Sequence, residues 1–342
     1  MSIESKDITV VLQGGYSAEL TPVCVKSVRK HLPESTILLS TWEGTNYDKS
    51  LSIDEVILSK DPGAKTRDGK PNGKLNNINR QIVSSRNGMR HAKTAYALKL
   101  RTDFLMQGTG FLEAFGKYSS FDPEYRIVKQ RIICCMFGTR WPQACHYNLP
   151  YHVSDFSTFG ITADLLNLYE IDLVTDEEFN WFLIHNEYKP DTFAVNKYNA
   201  EQSIIVNYLT KNGAQVPCEY STHVDDRIAD LSNRYLVNNF YPMPFGAYGI
   251  QPLKSELKAV NTIYRYTDYI TQYEWCGLYK ELCDPCYTLV GKDIERVKIN
   301  RFIRLERWIV IIKKFENRMP EFLRFISKLI SYIKTRKFPQ FL

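Results

Sequence analysis

Arg101 and Asp103 place a guanidinium and a carboxylate two residues apart, at the end of the apolar segment Tyr96-Ala97-Leu98-Lys99-Leu100. A planar guanidinium fork matches phosphate oxygens. A carboxylate accepts hydroxyl groups or ligates a hard cation. Lys99 alternates with Arg101 and so shares its face on a strand. Two cations on one face would focus a field for phosphate; otherwise they are a solvated strand face. Asn77, Asn79 and Arg80 open a helical stretch, 77–92, and helix N-termini favour anions. Asn77 also reads as a plain cap, and Arg101 with Asp103 as a plain strand-end ion pair.

Such groups need elements that bring them together. The sequence predicts strands over 7–13, 35–42 and 54–63 and a buried strand from 96 that runs into Arg101-Thr102-Asp103. Helices are predicted over 21–32, with Thr21 as N-cap before Pro22, and over 77–92. Residues 63–77 read as a polar, glycine-containing loop. Alternating strands and helices argue for a parallel sheet flanked by helices. Sheets of that kind bind ligands at the carboxyl ends of their strands. Those ends here are Gln13-Gly14-Gly15, Thr41-Trp42-Glu43-Gly44, Lys60-Asp61-Pro62-Gly63 and Arg101-Thr102-Asp103. Beyond residue 110, stretch 125–138 is strand-like and 151–169 sets Asp155 before a short apolar run and a helix. Stretch 200–213 is a helix with Glu201 at its start and Gly213 as its stop.

The chain of 342 residues is long enough for one large domain with an appendage, or for two domains. The N-terminus lacks the basic and apolar regions of a signal peptide. No run approaches the roughly 20 apolar residues of a membrane span. Eight cysteines without secretory targeting suggest free thiols in a reducing cytoplasm. Cys276, Cys283 and Cys286 have a metal-like spacing but no fourth ligand nearby, so they read as thiols near a helix end. Charge is uneven: from Arg296 to Leu342 there are 13 Lys/Arg and 3 Asp/Glu, a net of +10, against +6 for the whole chain. Phe302, Leu305, Trp308, Ile309, Ile312 and Phe315 recur at helical spacing in this tail, and a second apolar series follows Pro320. A basic amphipathic tail suits an anionic lipid surface; packing on the rest of the chain is the plainer alternative. The acidic remainder and the lack of a recognised nucleic-acid motif argue against nucleic acid as a partner. A homo-oligomer is compatible with the sequence.

The segments DITVVLQGG, ILLSTWEGT, VILSKDPGA, NNINRQIVSSRNGM and KTAYALKLRTDFLM, in this order and spacing, resemble the WavE-type lipopolysaccharide synthesis family. The resemblance spans residues 7–110, continues more loosely through VSDFSTFG and EQSIIVNYL, and does not reach the basic tail. It implies an α/β fold: a GT-A-like, Rossmann-type, mostly parallel sheet flanked by helices, with a C-terminal helical basic appendage. The implied organisation is a transferase domain over 1–295, with a nucleotide-sugar half (1–110) and an acceptor half (111–295), followed by the tail 296–342. The implied activity is glycosyl transfer from a nucleotide-sugar donor to a glycan or lipid-linked glycan of lipopolysaccharide, O-antigen or capsule. The implied place is cytoplasmic, peripheral on the inner membrane.

By the same resemblance Gln13 and Gly14 receive the nucleotide, and Arg101-Thr102-Asp103 stands where the family class carries Asp-x-Asp. Asp103 would then ligate Mg2+ or Mn2+ on the diphosphate. Arg101 in place of the first Asp instead suggests direct contact with phosphate, which puts the metal in question. Inverting transfer needs a base for the acceptor hydroxyl. Asp155, after a strand-like stretch, and Glu201, at a helix start, are the candidate carboxylates, each with a capping or turn role as the structural alternative. Two other functions remain open. A sugar nucleotidyltransferase would want a basic loop after the first strand, and Gln13-Gly14-Gly15-Tyr16-Ser17 has none. A catalytically inactive membrane-associated assembly protein would bind nucleotide or glycan without turnover.

Overall fold

The computed structural model describes residues 3–66, 73, 75–144, 147–188, 195–254 and 268–289. These belong to one compact unit, Met1–Val290. The basic tail lies outside the described residues.

The first half follows the sequence pattern. Strand β1 (Ile8–Gln13) is followed by helix α1 (Thr21–His31), β2 (Thr36–Trp42), β3 (Glu55–Ser59), a two-residue hairpin pair β4 (Lys65–Thr66) and β5 (Leu75–Asn76), helix α2 (Ile78–His91) and β6 (Tyr96–Arg101). All six β1 residues are buried, the mark of a strand covered on both faces. Each such Val, Ile or Leu contributes about 1.5–3 kcal/mol when taken from water. Two expectations shift. Leu20, not Thr21, is the N-cap of α1; Thr21 sits one position inside, and its hydroxyl accepts from the Ser17 N–H at 2.9 Å. The stretch 54–63 is a strand only over Glu55–Ser59, because the Pro62-Gly63 turn and polar residues before it cannot continue the ladder.

The second half adds β7 (Phe104–Met106), α3 (Gly110–Ala114), β8 (Ile132–Cys135), β9 (Ser157–Ile161), α4 (Thr162–Tyr169), α5 (Asp176–Phe179), α6 (Trp181–Ile184), α7 (Ala200–Lys211), α8 (Asp226–Asn239), β10 (Phe240–Met243), α9 (Phe245–Tyr248), β11 (Ile250–Pro252) and α10 (Gln272–Leu282). Of the strand-like stretch 125–138, only the apolar Ile132–Cys135 pairs. Helix α7 stops at Lys211, with Gly213 just beyond at φ +79°.

The seven-stranded sheet runs β10-β8-β9-β6-β1-β2-β3. Strands β1, β2, β3 and β6 are parallel, β10 is parallel to β8, and β9 is antiparallel to both β6 and β8. This is the mostly parallel α/β sheet expected. Chain order reverses at β1, which lies between β2 and β6. The carboxyl ends of β1 and β6 therefore flank a topological switch point, where open sheets of this kind form their crevice.

Packing then sets what reaches that crevice. Helix α2 buries Ile78, Ile82, Ser85 and Met89 on one face. A Cβ on Gly88 would lie 2.3 Å from Val11 Cγ1, so glycine lets α2 ride close over β1. Gln13 Nε2 donates to Ser84 Oγ at 2.7 Å, and Ser40 Oγ to the Ser84 carbonyl at 2.7 Å. These bonds hold the N-terminal turns of α2 beside the ends of β1 and β2. Strand β9 starts opposite Leu100, so Asp155 and Phe156 arrive at the carboxyl end of β6. Strand β11 pairs antiparallel with β7, Pro252 opposite Phe104, which carries Lys254 back to Asp103.

Candidate functional site

A cavity of about 370 Å3 opens at the switch point. Its wall contains Gln13, Gly14 and Gly15 after β1, Trp42 at the end of β2, and Asn77, Arg80 and Gln81 at the start of α2. Arg101, Thr102, Asp103 and Lys254 complete it. The loop after β1 is held to β6: Thr102 N–H donates to the Gln13 carbonyl at 3.2 Å and Thr102 Oγ1 to the Gly15 carbonyl at 2.9 Å. Gly14 adopts φ +121° there, a conformation that costs glycine little and other residues much.

Arg101 grips Asp103 with two bonds, Nε to Oδ1 at 3.0 Å and Nη2 to Oδ2 at 2.7 Å. Lys254 Nζ lies 2.9 Å from the same Oδ2. Burial pushes the Asp103 carboxyl up, but the charges and hydrogen bonds of Arg101 and Lys254 outweigh it and hold it below the usual range. Burial acts against the Arg101 cation too, and the Asp103 partner more than restores it. Asp103 is thus ionised and shared by two cations. Arg80 makes its own paired bonds to Asp61, at 2.8 and 2.6 Å, and donates to Asn77 Oδ1. The Arg80 charge is therefore already met. Gln81 Oε1 is buried without a hydrogen-bond partner among the described residues, an acceptor that normally finds a donor.

Below Arg101 lies a second cluster, away from the cavity wall. Lys99 is fully buried; its ammonium donates to the Asp155 carbonyl and lies 3.7 Å from Asp155 Oδ2. Burial lowers the Lys99 pKa, and the Asp155 charge offsets this in part. His152 Nδ1 lies 2.7 Å from the Gly138 carbonyl; a carbonyl only accepts, so Nδ1 carries the proton and donates. His152 Nε2 approaches Glu201 Oε2 at 3.7 Å. Burial, helped by Arg140, pushes the imidazole down to about 3. The ring is neutral at neutral pH, and its contact with Glu201 is not a salt bridge there.

The structure sorts the residues picked from the sequence. Gln13, Gly14, Arg80, Arg101 and Asp103 meet in the cavity wall. Asn79 does not: both ends of its amide are engaged with Val174, donating to the carbonyl at 3.0 Å and accepting from the N–H at 2.8 Å. Lys99 does share the face of Arg101, but it is sealed beneath it against Asp155 instead of facing a phosphate. Asp155 is buried on Lys99, and Glu201 lies beside His152; neither is part of the cavity wall. Gln81 and Lys254 enter the wall without having been singled out, and Trp42 was named only as part of a strand end. No local motif marks Lys254, because only the β7–β11 register brings it to Asp103.

The same geometry tests the metal. Among the described residues no group of three His, Cys, Asp or Glu is placed to hold an ion. Asp103 offers its oxygens to two fixed cations. A divalent ion on that carboxylate would face both, and each pair of unit charges about 4 Å apart repels by about 4 kcal/mol at an effective dielectric of 20. Hard divalent ions need several oxygen ligands. The donor set among the described residues does not fit one. The described cysteines are free thiols, and Cys283 caps the end of α10 as expected of a thiol near a helix end.

Fold and cavity define an α/β protein with a cation-lined crevice at the carboxyl edge of its sheet. The chain belongs to the WavE family of lipopolysaccharide synthesis, which it matches over residues 8–330. That membership ties the chain to lipopolysaccharide synthesis. The match corrects one expectation: it runs beyond residue 295 into the basic tail. No curated protein matches the sequence. Among solved structures, the chain is similar to the apo form of the glycosyltransferase GlyE of Streptococcus pneumoniae TIGR4, with 13% identity and a TM-score of 0.33. That likeness covers 79% of this chain and 59% of the other, so the chain spans less than two thirds of that structure. It is also similar to the galactosyltransferase LgtC in complex with donor and acceptor sugar analogs, with 12% identity, a TM-score of 0.35, and coverage of 80% and 96%. Likenesses of this degree carry no argument about residues or substrates.

Proposed function

We propose that this chain is a glycosyltransferase that binds a nucleotide-activated sugar in the switch-point cavity and transfers the sugar to a growing surface glycan of the lipopolysaccharide type. The observation that carries the reading is the cavity itself. It has Arg101 and the first turn of α2 in one wall, and at about 370 Å3 it falls in the range of small-ligand sites. Arg101 and the N-terminus of α2 suit a diphosphate. Trp42 offers a ring face to a nucleobase, and the unmet Gln81 Oε1 an acceptor for a ribose or sugar hydroxyl. The loop after β1 contains no cation, which disfavours a triphosphate-binding nucleotidyltransferase.

For the base we favour Glu201 over Asp155. The Glu201 side chain is 21% exposed, and its charge acts on both Lys99 and Arg101. Asp155 is buried and holds Lys99. The test is a panel of UDP-, GDP-, dTDP-, ADP- and CMP-linked sugars, scored for binding by thermal shift and for nucleotide release with a lipopolysaccharide acceptor. Saturation with a bound donor at 100 Kd adds about 2.7 kcal/mol of stability. No nucleotide release from a bound donor would favour an inactive assembly protein; release without an acceptor product would be donor hydrolysis and would point to a different acceptor. If no donor binds, the reading fails. Glu201→Gln should cut turnover by about 10²–10⁴-fold with donor binding kept; full activity in that variant would remove Glu201 from the mechanism.

The tail carries a separate proposal, motivated by its +10 charge and helical apolar spacing: it holds the enzyme on the anionic inner-membrane surface where lipid-linked acceptors lie. No helix among the described residues is long and apolar enough to cross a membrane. Each Lys or Arg near anionic headgroups contributes about 1 kcal/mol. The full chain with Lys313, Lys314, Lys328 and Lys334 changed to Gln should lose flotation with phosphatidylglycerol-containing vesicles at low salt, while the native chain floats. Equal flotation of the two, or none by the native chain, rules the membrane role out.

A further inference from the structure

We propose that Arg101 and Lys254, held on the shared carboxylate of Asp103, take the place of a divalent metal and bind the diphosphate of the donor directly. The proposal rests on the reading of the cavity as a donor site.

The arrangement is a triad of fixed charge. Two cations converge on one carboxylate, at 2.7 and 2.9 Å from Asp103 Oδ2, and leave a net charge of +1 in the cavity wall. The neighbouring Arg80 and Asp61 cancel each other. Neither cation is exhausted by Asp103. A guanidinium has five N–H donors, and Arg101 directs only Nε and Nη2 to the carboxylate. Nη1 has no hydrogen-bond partner among the described residues. Lys254 has three N–H donors, one directed to Asp103, on a side chain that is 51% exposed. Donors therefore remain for phosphate oxygens on both. The start of α2, a helix of 14 residues, adds partial positive charge from Asn77 to Gln81 in the same wall.

In this scheme Asp103 is a positioning residue. Its carboxylate sets where Arg101 and Lys254 stand relative to the bond that breaks, so its effect falls on turnover more than on diphosphate affinity. A metal-dependent site would use the same carboxylate in the opposite sense, as the ligand that brings positive charge in. The two schemes therefore assign opposite signs to the loss of the Asp103 charge. With a metal, the loss removes the diphosphate anchor. With the triad, it removes a negative charge that competes with the diphosphate for the two cations.

The experiment is titration calorimetry of the full chain with UDP, GDP, dTDP and ADP, each in excess EDTA and in excess Mn2+ or Mg2+. At least one diphosphate should bind in EDTA, and excess metal should not tighten it. Lys254→Ala should weaken it by about tenfold or more, about 1.4 kcal/mol, and Lys254→Arg should restore most of the affinity. Lys254 is half-exposed, so its replacement leaves the fold intact. Asp103→Asn should bind the diphosphate no more weakly than the native chain. Binding that requires a metal, or that Asp103→Asn abolishes, overturns the proposal and leaves the donor reading standing. Binding of no diphosphate in either condition overturns both.

Discussion

Asp103→Asn lowers sugar transfer by about 10²-fold or more in a protein that keeps its fold. The carboxylate is the common partner of Arg101 and Lys254. An amide of the same shape cannot receive a guanidinium through two ionised oxygens, and it offers Lys254 no countercharge. Both cations then lose their fixed position just where charge develops on the departing nucleotide. A displacement of about 1 Å at a reacting centre is enough for an effect of this size. The loss should fall on kcat, because diphosphate binding survives. Arg101→Ala is the complementary case: it deletes donors to the phosphate and should raise the donor KM steeply. Steady-state kinetics with circular dichroism on each variant decide the matter. A well-folded Asp103→Asn enzyme with native kcat would show that the triad has no part in turnover.

The second large effect concerns stability. Lys99→Met should cost about 3–5 kcal/mol, since it strands the buried Asp155 carboxylate without its cation. That is a large share of a typical total of about 5–15 kcal/mol. Methionine has nearly the length of the lysine stem and is apolar, so cavity formation contributes little. The cost should come from charge, and the double variant Lys99→Met with Asp155→Asn should recover more than half of it. Urea unfolding of the two single variants and the double reports the coupling. A cost below about 1 kcal/mol for Lys99→Met would mean that the pair is not ionised in the native state. The result bears on function too: Lys99 lies directly under Arg101 on β6 and ties Asp155 to that strand.

The sequence by itself determined the first half of the fold and the edge at which the cavity lies. Continuous apolar runs such as Ile8–Leu12, and the spacing of Ile78, Ile82 and Met89, carry strand and helix periodicity locally. Polar residues at each strand end follow from the same local pattern, so Gln13, Gly14, Arg101 and Asp103 could be placed together before any contact was known. Local pattern also placed Lys99 on the face of Arg101. It could not say whether that face met solvent, a ligand or Asp155, because burial depends on what packs over a strand and not on the strand. Tertiary structure decided that α4 and the residues before β9 close over Lys99, and that Asn79 serves Val174 across 95 residues of chain. It decided, above all, that Lys254 arrives at Asp103. A three-residue strand, β11, has too little periodicity to be read, and antiparallel pairing with β7 is a long-range choice that no residue near position 254 encodes. The charge balance of the site, and with it the case against a metal, rests on that one pairing.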